Sequence, residues 1–134
     1  MIKLFISGSR LANLCEDSLV KLRDCILENI PEFDPETALI LVGDCDGIDT
    51  DIQSLDLNCL VYHVGRVRNN PYKHSTHEVK NKGKTGREYY SQKDQVMTNE
   101  CSHHIGLAKG SSQGTRANHE RALGQNKPSW LIEL

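Results

Sequence analysis

The sequence has few aromatic residues and no strong charge of one sign. Aromatic side chains make up 5% of the 134 residues, with one Trp, and the formal net charge is -2. Proteins that bind single-stranded nucleic acid use aromatic stacking platforms beside a basic groove, and a net charge near zero gives no general attraction to a polyanion. Single-stranded nucleic-acid binding is therefore a minor alternative, which would have to use Tyr72, Tyr89 and Tyr90.

The sequence also lacks a long apolar run. No stretch approaches the roughly 20 apolar residues that a membrane-spanning helix needs. Residues 1–3 lead into a strand-like segment rather than into the apolar core of a signal peptide. We therefore expect a cytoplasmic protein with no membrane partner.

The cysteines show neither a disulfide pattern nor a metal-binding pattern. There are five of them, an odd number, and no two have CxxC spacing. His74 and His77 lie close in sequence, as do Cys101, His103 and His104, but no second ligand pair completes a tetrahedral zinc site. We predict free thiols, no bound metal and no cofactor.

Strand-like and helix-like segments alternate along the chain, and this alternation predicts the fold. The first strand is apolar without alternation, as expected for a strand covered on both faces. We predict one domain, residues 1–134, that is α/β and Rossmann-like, with a doubly wound, mainly parallel sheet of about five strands and helices on both faces. The predicted strands are residues 2–7, 38–42, 58–64, 103–108 and 129–132, and the predicted helices are residues 16–30, 50–55, 89–101 and 116–124.

A basic segment, residues 65–86, interrupts the alternation. It exceeds the roughly 12 to 15 residues beyond which a loop is usually functional or disordered. One interpretation is a solvated flexible loop, and the other is an electropositive lid that closes over an anionic ligand. Only Glu78 opposes the basic residues there and at its end, which are Arg66, Arg68, Lys73, Lys80, Lys82, Lys84 and Arg87.

The turn after the fourth predicted strand has the composition of a phosphate-binding turn. Ser111, Ser112, Gly114 and Thr115 lead directly into a predicted helix. Small residues leave backbone N–H groups accessible, and a helix N-terminus favours an anion. Here we favour a ligand-binding role over an ordinary turn.

Turns that contain glycine also follow the first two predicted strands. After the first strand, Gly8 permits close approach of the backbone, the hydroxyls of Ser7 and Ser9 can donate to phosphate, and Arg10 can make a bidentate contact. An ordinary strand-to-helix turn is the alternative for these residues.

In the turn after the second strand, Asp44 and Asp49, flanked by Gly43 and Gly47, can accept from ribose hydroxyls or pair with cations. Capping of a helix by Asp46 or Asp49 is the competing explanation.

The predicted helix over residues 89–101 supplies a further candidate. Lys93 follows the basic segment and is predicted to meet a ligand phosphate, with a plain surface charge as the alternative. Tyr90, Asp94 and Met97 share one side of this helix, where we expect Met97 to pack against the sheet.

Taken in order, these motifs resemble the SLOG superfamily, the Rossmann-like group that contains the Smf/DprA DNA-processing proteins, the lonely-guy phosphoribohydrolases and small nucleotide sensors. The similarity spans almost the whole chain, from Gly8-Ser9-Arg10 through the glycine turn at residues 43–49 and the Lys93 helix to residues 111–115. The resemblance implies a nucleotide-like ligand at the carboxyl edge of the sheet, bound by a sensor or carrier module. Self-association is left open.

The sequence departs from the phosphoribohydrolase motif at one position that bears on catalysis. The phosphoribohydrolases carry a Gly-Thr-x-x-Glu motif whose Glu acts in cleaving the N-glycosidic bond, and the matching position here is Asn118. An amide cannot act as a general base. The alternative function, an enzyme that cleaves or transfers at the N-glycosidic bond of nucleosides or nucleotides, would have to use Asp44 or Asp49 as its carboxylate.

Overall fold

The computed structural model describes residues 1–80, 83 and 85–134, apart from the side chains of residues 87 and 90. Predictions that concern Lys82, Lys84 and the side chains of Arg87 and Tyr90 lie outside the described residues. The elements follow in the order β1 (Lys3–Gly8), α1 (Glu16–Asn29), β2 (Leu39–Val42), α2 (Ile48–Gln53), β3 (Cys59–Val64), β4 (Ser75–Val79), α3 (Gly86–Glu100), β5 (His103–Ala108), α4 (Gln113–Gly124) and β6 (Ser129–Glu133).

The described strands form one sheet in the order β4-β3-β2-β1-β5-β6, and every neighbouring pair is parallel. This arrangement confirms the predicted α/β, Rossmann-like, doubly wound fold. The chain builds outward from β1 through β2 and β3 to β4, and then crosses to the other side of β1 to form β5. The direction of winding therefore reverses between β1 and β5, which defines a topological switch point.

The two faces of the sheet bury different side chains of the central strand. Leu4 and Ile6 of β1 belong to an apolar core that includes Leu22 of α1 and Ile48 of α2. Phe5 faces the opposite side, where Met97 of α3 packs, as predicted. Helices α3 and α4 contact each other and lie on this second face. Covering both faces explains why β1 is apolar without alternation.

The sheet has six strands rather than about five, because β4 lies inside the segment predicted to be a loop. Its burial pattern explains the difference, since only Val79 of this polar edge strand is buried. An edge strand can be held by its backbone pairing, here to β3, without an apolar face. The preceding crossover is fixed by side chains, for example by the contact of His74 Nε2 with Gln53 O at 2.8 Å.

The close packing of α2 on β1 makes a testable prediction about Gly8. A Cβ at this position would overlap the side chain of Ile48, which is fully buried. We expect Gly8→Ala to lower the free energy of unfolding by about 1–3 kcal/mol through overpacking. Within the described part of the chain nothing lies within 4 Å of a Cβ placed at Gly124, so Gly124→Ala is the control and should not destabilise. Urea unfolding of both variants measures the difference, and an unchanged Gly8→Ala would contradict this packing.

Candidate functional site

The turns that follow β1 and β5 meet at the switch point. Ser9 Oγ lies 2.6 Å from Ser112 Oγ and accepts a hydrogen bond from the Lys109 N–H at 3.0 Å. The Ser9 N–H donates to Leu107 O at 3.2 Å. The two turns are therefore fixed relative to each other. They lie at the carboxyl ends of β1 and β5, where open α/β sheets generally bind ligands, and we call the surface between the two turns the cleft.

The first turn of α4 lies beside this cleft. Ser112 precedes the helix in the left-handed conformation, with φ of 34°. The first N–H groups of a helix have no intrahelical partner and carry its positive dipole end. Nothing described lies within 4 Å of a Cβ placed at Gly114. Thr115 is buried over Gly106, so its contribution to a ligand site is its backbone N–H.

Asp44, at the carboxyl end of β2, is fully buried and paired with two cations. Its Oδ1 accepts hydrogen bonds from Lys93 Nζ at 3.1 Å and from Arg68 Nη2 at 2.9 Å, and its Oδ2 accepts from the Arg68 N–H at 2.9 Å. With 0% of its surface exposed, Asp44 holds cations in place and has no surface to offer a ligand.

Gly43 leaves room for the second acidic residue of this turn. A Cβ at Gly43 would lie 2.5 Å from Asp49 Oδ2 and 3.0 Å from Lys93 Nζ. Asp49 Oδ2 accepts the Cys45 N–H at 3.1 Å. The residue at the N-cap position of α2 is Gly47, so neither Asp46 nor Asp49 occupies that position. Asp49 instead stabilises the turn before the helix and lies beside the Lys93 ammonium.

The carboxyl groups of this cluster have different acidities. Burial alone would raise the pKa of Asp44, but the hydrogen bonds and charges of Arg68 and Lys93 hold it below its ordinary value. Burial raises the pKa of Asp49 to about 7, although Lys93 opposes the shift. Burial would lower the pKa of Lys93, but neighbouring acidic groups raise it. Protonation of Asp49 would therefore remove one negative charge from beside Lys93.

A cavity of about 240 Å³ adjoins this cluster. Gly47 shapes it, because its φ of 78° and lack of Cβ let the turn after β2 approach the backbone oxygens of Arg10 and Ala12. Leu11, 89% exposed, is an apolar surface at the rim. The lining residues are Arg10, Leu11, Cys45, Asp46, Arg68 and Asn69.

Asn118, at the position where the phosphoribohydrolases have Glu, is buried, and both its amide nitrogen and its amide oxygen form hydrogen bonds. Its Nδ2 donates to Asp94 Oδ2 at 3.3 Å, and its Oδ1 accepts from Arg121 Nη1 at 2.7 Å. Burial raises the pKa of Asp94, with Lys93 and the Asn118 hydrogen bond opposing the shift. Asn118 therefore joins α3 to α4 and supplies no acid or base.

The predicted site residues fall into two neighbouring groups. Those of the first and last turns, Gly8, Ser9, Arg10, Ser111, Ser112, Gly114 and Thr115, border the cleft, and those of the middle group, Gly43, Asp44, Gly47, Asp49 and Lys93, form the charged cluster beside it. From the sequence, Arg68 is only one of the basic residues of a solvated loop or lid, although its position just after a parallel strand could have placed it at this edge. The Ser7 hydroxyl, predicted as a phosphate donor, and His104, considered as a metal ligand, instead form a buried hydrogen bond with each other.

Compared with known proteins, the chain matches no protein-family model and has no significant match among curated proteins. No helix in residues 1–80, 83 and 85–134 is both long and apolar enough to cross a bilayer.

The acidity of Asp49 predicts a pH-dependent stability. Its folded-state pKa, about 7, exceeds the ordinary value of 3.8, so its contribution to stability is complete below the unfolded pKa and is lost as pH rises through about 7. We expect the free energy of unfolding to fall between about pH 5 and pH 8 by on the order of 2 kcal/mol more in wild type than in Asp49→Asn.

Denaturant unfolding at the two pH values measures this difference. Asp46→Asn removes an exposed carboxyl of the same turn and should keep the wild-type pH dependence. Identical profiles for wild type and Asp49→Asn would show that the Asp49 carboxyl does not titrate abnormally.

Proposed function

We propose that this protein is a member of the SLOG superfamily that binds a nucleotide or nucleotide-derived phosphorylated ligand at the carboxyl edge of its sheet, as a sensor or carrier. The observation that carries the proposal is the 2.6 Å contact of Ser9 with Ser112 at the switch point. It brings two small-residue turns and the first turn of α4 to one cleft, beside a cavity lined by Arg10 and Arg68. Convergent N–H groups, hydroxyls and guanidinium groups suit a phosphate.

The parts of the ligand match different parts of the site. The phosphates occupy the cleft, where Ser9 and Ser112 offer hydroxyl groups and Ser111, Ser112, Gly114 and Thr115 offer backbone N–H groups. Arg10 is exposed and can turn toward them, while Lys93 and Arg68 contribute their positive field from beside Asp44. We assign the ribose hydroxyls to the exposed Asp46 rather than to Asp44, because Asp44 is fully buried. The rim residue Leu11 offers an apolar contact for the base.

A binding role accounts for the site better than catalysis does. Asn118 is occupied by Asp94 and Arg121, and it has no acid–base chemistry. The alternative, an enzyme acting at the N-glycosidic bond, is favoured by one observation, the pKa of Asp49 near 7. Catalytic acids and bases need a pKa close to the working pH. With 9% of its surface exposed, Asp49 would require movement of its turn to reach a substrate.

We also propose a cellular location and a kind of partner for the protein. We place it in the cytoplasm, where nucleotides are available and its five free cysteines, Cys15, Cys25, Cys45, Cys59 and Cys101, stay reduced. Its partner is a small molecule, and self-association is compatible with binding at the sheet edge. Stacking of single-stranded nucleic acid would have to use Tyr72, which is 55% exposed. Tyr72 lies in the crossover before β4 and not in one of the turns that border the cleft.

The first test concerns backbone access at α4. Gly114→Val places a β-branched side chain over the N–H groups of the first turn, while the open surroundings of Gly114 leave the fold intact. We expect the affinity for the best of a panel of nucleoside mono-, di- and triphosphates to fall by about tenfold or more. Calorimetry measures it, and Gly124→Val, at the open far end of the same helix, is the control. Equal affinities in the two variants would contradict the phosphate assignment.

The second test separates a binder from an enzyme. Incubation of the protein with a large molar excess of nucleoside monophosphates should release no free base above a buffer control. Chromatography measures the released base. Steady release that disappears in Asp49→Asn and persists in Asp56→Asn, which replaces an exposed carboxyl outside the site, would establish the enzymatic alternative and overturn the binding role.

A further inference from the structure

Four polar side chains form a continuous hydrogen-bonded chain through the α3/α4 side of the sheet. Ser7 Oγ lies 2.7 Å from His104 Nε2, His104 Nδ1 lies 2.7 Å from Ser129 Oγ, and His119 Nδ1 lies 2.7 Å from the same Ser129 Oγ. The members come from β1, β5, β6 and α4 respectively. We call this set the Ser7–His119 chain.

The Ser7–His119 chain joins the cleft to the protein surface. Ser7 is the next-to-last residue of β1, two residues before Ser9, and pairs in register with Gly106. Thr115 of the first turn of α4 packs over Gly106. One end of the chain therefore lies at the floor of the cleft, where Ser7 is 6% exposed. The other end, His119, is partly exposed and can exchange protons with water.

The central histidine stays neutral. His104 has 0% of its surface exposed. Burial lowers its pKa to about 3, helped by the positive charges of His119 and Arg121. A neutral imidazole has one donor nitrogen and one acceptor nitrogen, so His104 must donate to one of its serine partners and accept from the other.

Two arrangements of the chain use the hydroxyl proton of Ser129. Two ring nitrogens contact Ser129 Oγ, and the hydroxyl can donate to only one of them. If both rings donated to Ser129 Oγ, the hydroxyl proton would have no acceptor within the chain, which is unfavourable in the interior. If Ser129 donates to His119, then His104 Nδ1 donates to Ser129, and His104 Nε2 must accept the proton of Ser7. If Ser129 donates to His104, then His119 Nδ1 donates to Ser129, and His104 Nε2 donates to Ser7.

The two arrangements give Ser7 opposite roles in the cleft. In the first, its proton is committed to His104 and only lone pairs face a ligand. In the second, its oxygen accepts from His104 and its proton is available to an anion. A protonated imidazolium has N–H on both nitrogens, so protonation of His119 selects the second arrangement.

We propose that the Ser7–His119 chain couples anion binding in the cleft to proton uptake at His119, with Ser7 as a ligand contact and His104, Ser129 and His119 as positioning residues. The proposal rests on the proposed phosphate site. Binding strengthens as His119 takes up a proton, and it weakens as pH rises.

Other charged groups lie on the elements packed around His119, and they can add their own pH dependence. They are Arg116, Glu120 and Arg121 on α4, Glu133 on β6, His103 on β5, Lys3 on β1, and Glu88, Lys93, Asp94 and Glu100 on α3. Arg116 is paired with Glu133 at 2.7 Å, and Arg121 donates to Asn118. Apart from His103, which the control variant replaces, these groups and Asp49 in the neighbouring cluster remain the same in the variants compared below.

The first measurement needs no ligand. The ¹⁵N shifts of the His104 ring nitrogens report which one carries the proton. When the pH is lowered from 8 to 5.5, we expect the population with the proton on Nε2 to increase, and we expect no such change in His119→Phe. An unchanged His104 tautomer over this pH range in wild type would overturn the coupling, whether or not the cleft binds anions.

The second measurement uses inorganic sulfate, whose charge is constant over this pH range, as the anion. The ratio of its Kd at pH 8 to its Kd at pH 5.5 should be roughly threefold to tenfold larger in wild type than in His119→Phe. His103→Phe is the matched control, because His103 stacks on Trp130 with ring centroids 6.3 Å apart and is not a member of the chain. It should keep the wild-type ratio.

The outcomes separate this inference from the proposed function. Sulfate binding with equal ratios in wild type and His119→Phe would overturn the coupling and leave the anion site standing. Absence of sulfate binding in all three proteins would overturn the anion site and, with it, the coupling of binding to His119.

Discussion

The buried carboxylate of Asp44 is the interaction on which the functional edge of this molecule depends. A carboxylate with no exposed surface must be paired, and Asp44 is paired with Lys93 from α3 and Arg68 from the crossover before β4. The backbone oxygen of Asp44 also accepts from Asn69 Nδ2 at 3.0 Å. One residue therefore holds α3 and the β3–β4 crossover against the end of β2. Removing one partner of such a buried pair typically costs about 3–5 kcal/mol.

This pairing also sets the charge of the site. Lys93 and Arg68 are held at the carboxyl edge by Asp44. Because the chain as a whole has a net charge of -2, attraction for an anion has to come from local cations such as these. The cleft adds neutral donors, the hydroxyls of Ser9 and Ser112 and the N–H groups of α4. Charge and hydrogen-bonding capacity thus lie in adjacent parts of one edge.

The sequence was sufficient to predict the architecture and that the candidate turns share one edge of the sheet, because both follow from local patterns. Alternating apolar strands and amphipathic helices imply a parallel sheet, and turns after parallel strands must share an edge. The strand β4 was missed because only Val79 is buried and the rest of the strand is polar. The space beside Gly8 could be read as room for a ligand, whereas Ile48 of α2 fills it. A glycine alone does not reveal which neighbour approaches it.

Other features depend on contacts between residues far apart in the chain. Arg68 and Lys93 lie 24 and 49 positions from Asp44, and Ser7 lies 97 positions from His104. Nothing in the local sequence around these residues marks them as partners, since a lysine on a helix or a histidine in a strand has several ordinary explanations. The raised pKa of Asp49 follows from its burial beside this cluster, and it could not have been predicted from the local sequence either.

The most direct test of the central claim is an amide ¹H–¹⁵N NMR titration of the intact protein with nucleoside phosphates. Binding at the switch point predicts the largest shift changes at residues 8–10 and 111–115, with smaller changes around Asp46 and Arg68. Saturable changes confined to another surface, such as the groove between β4 and α3 lined by His77 and Gln92, would contradict the account, as would the absence of any saturable change with every nucleotide tested.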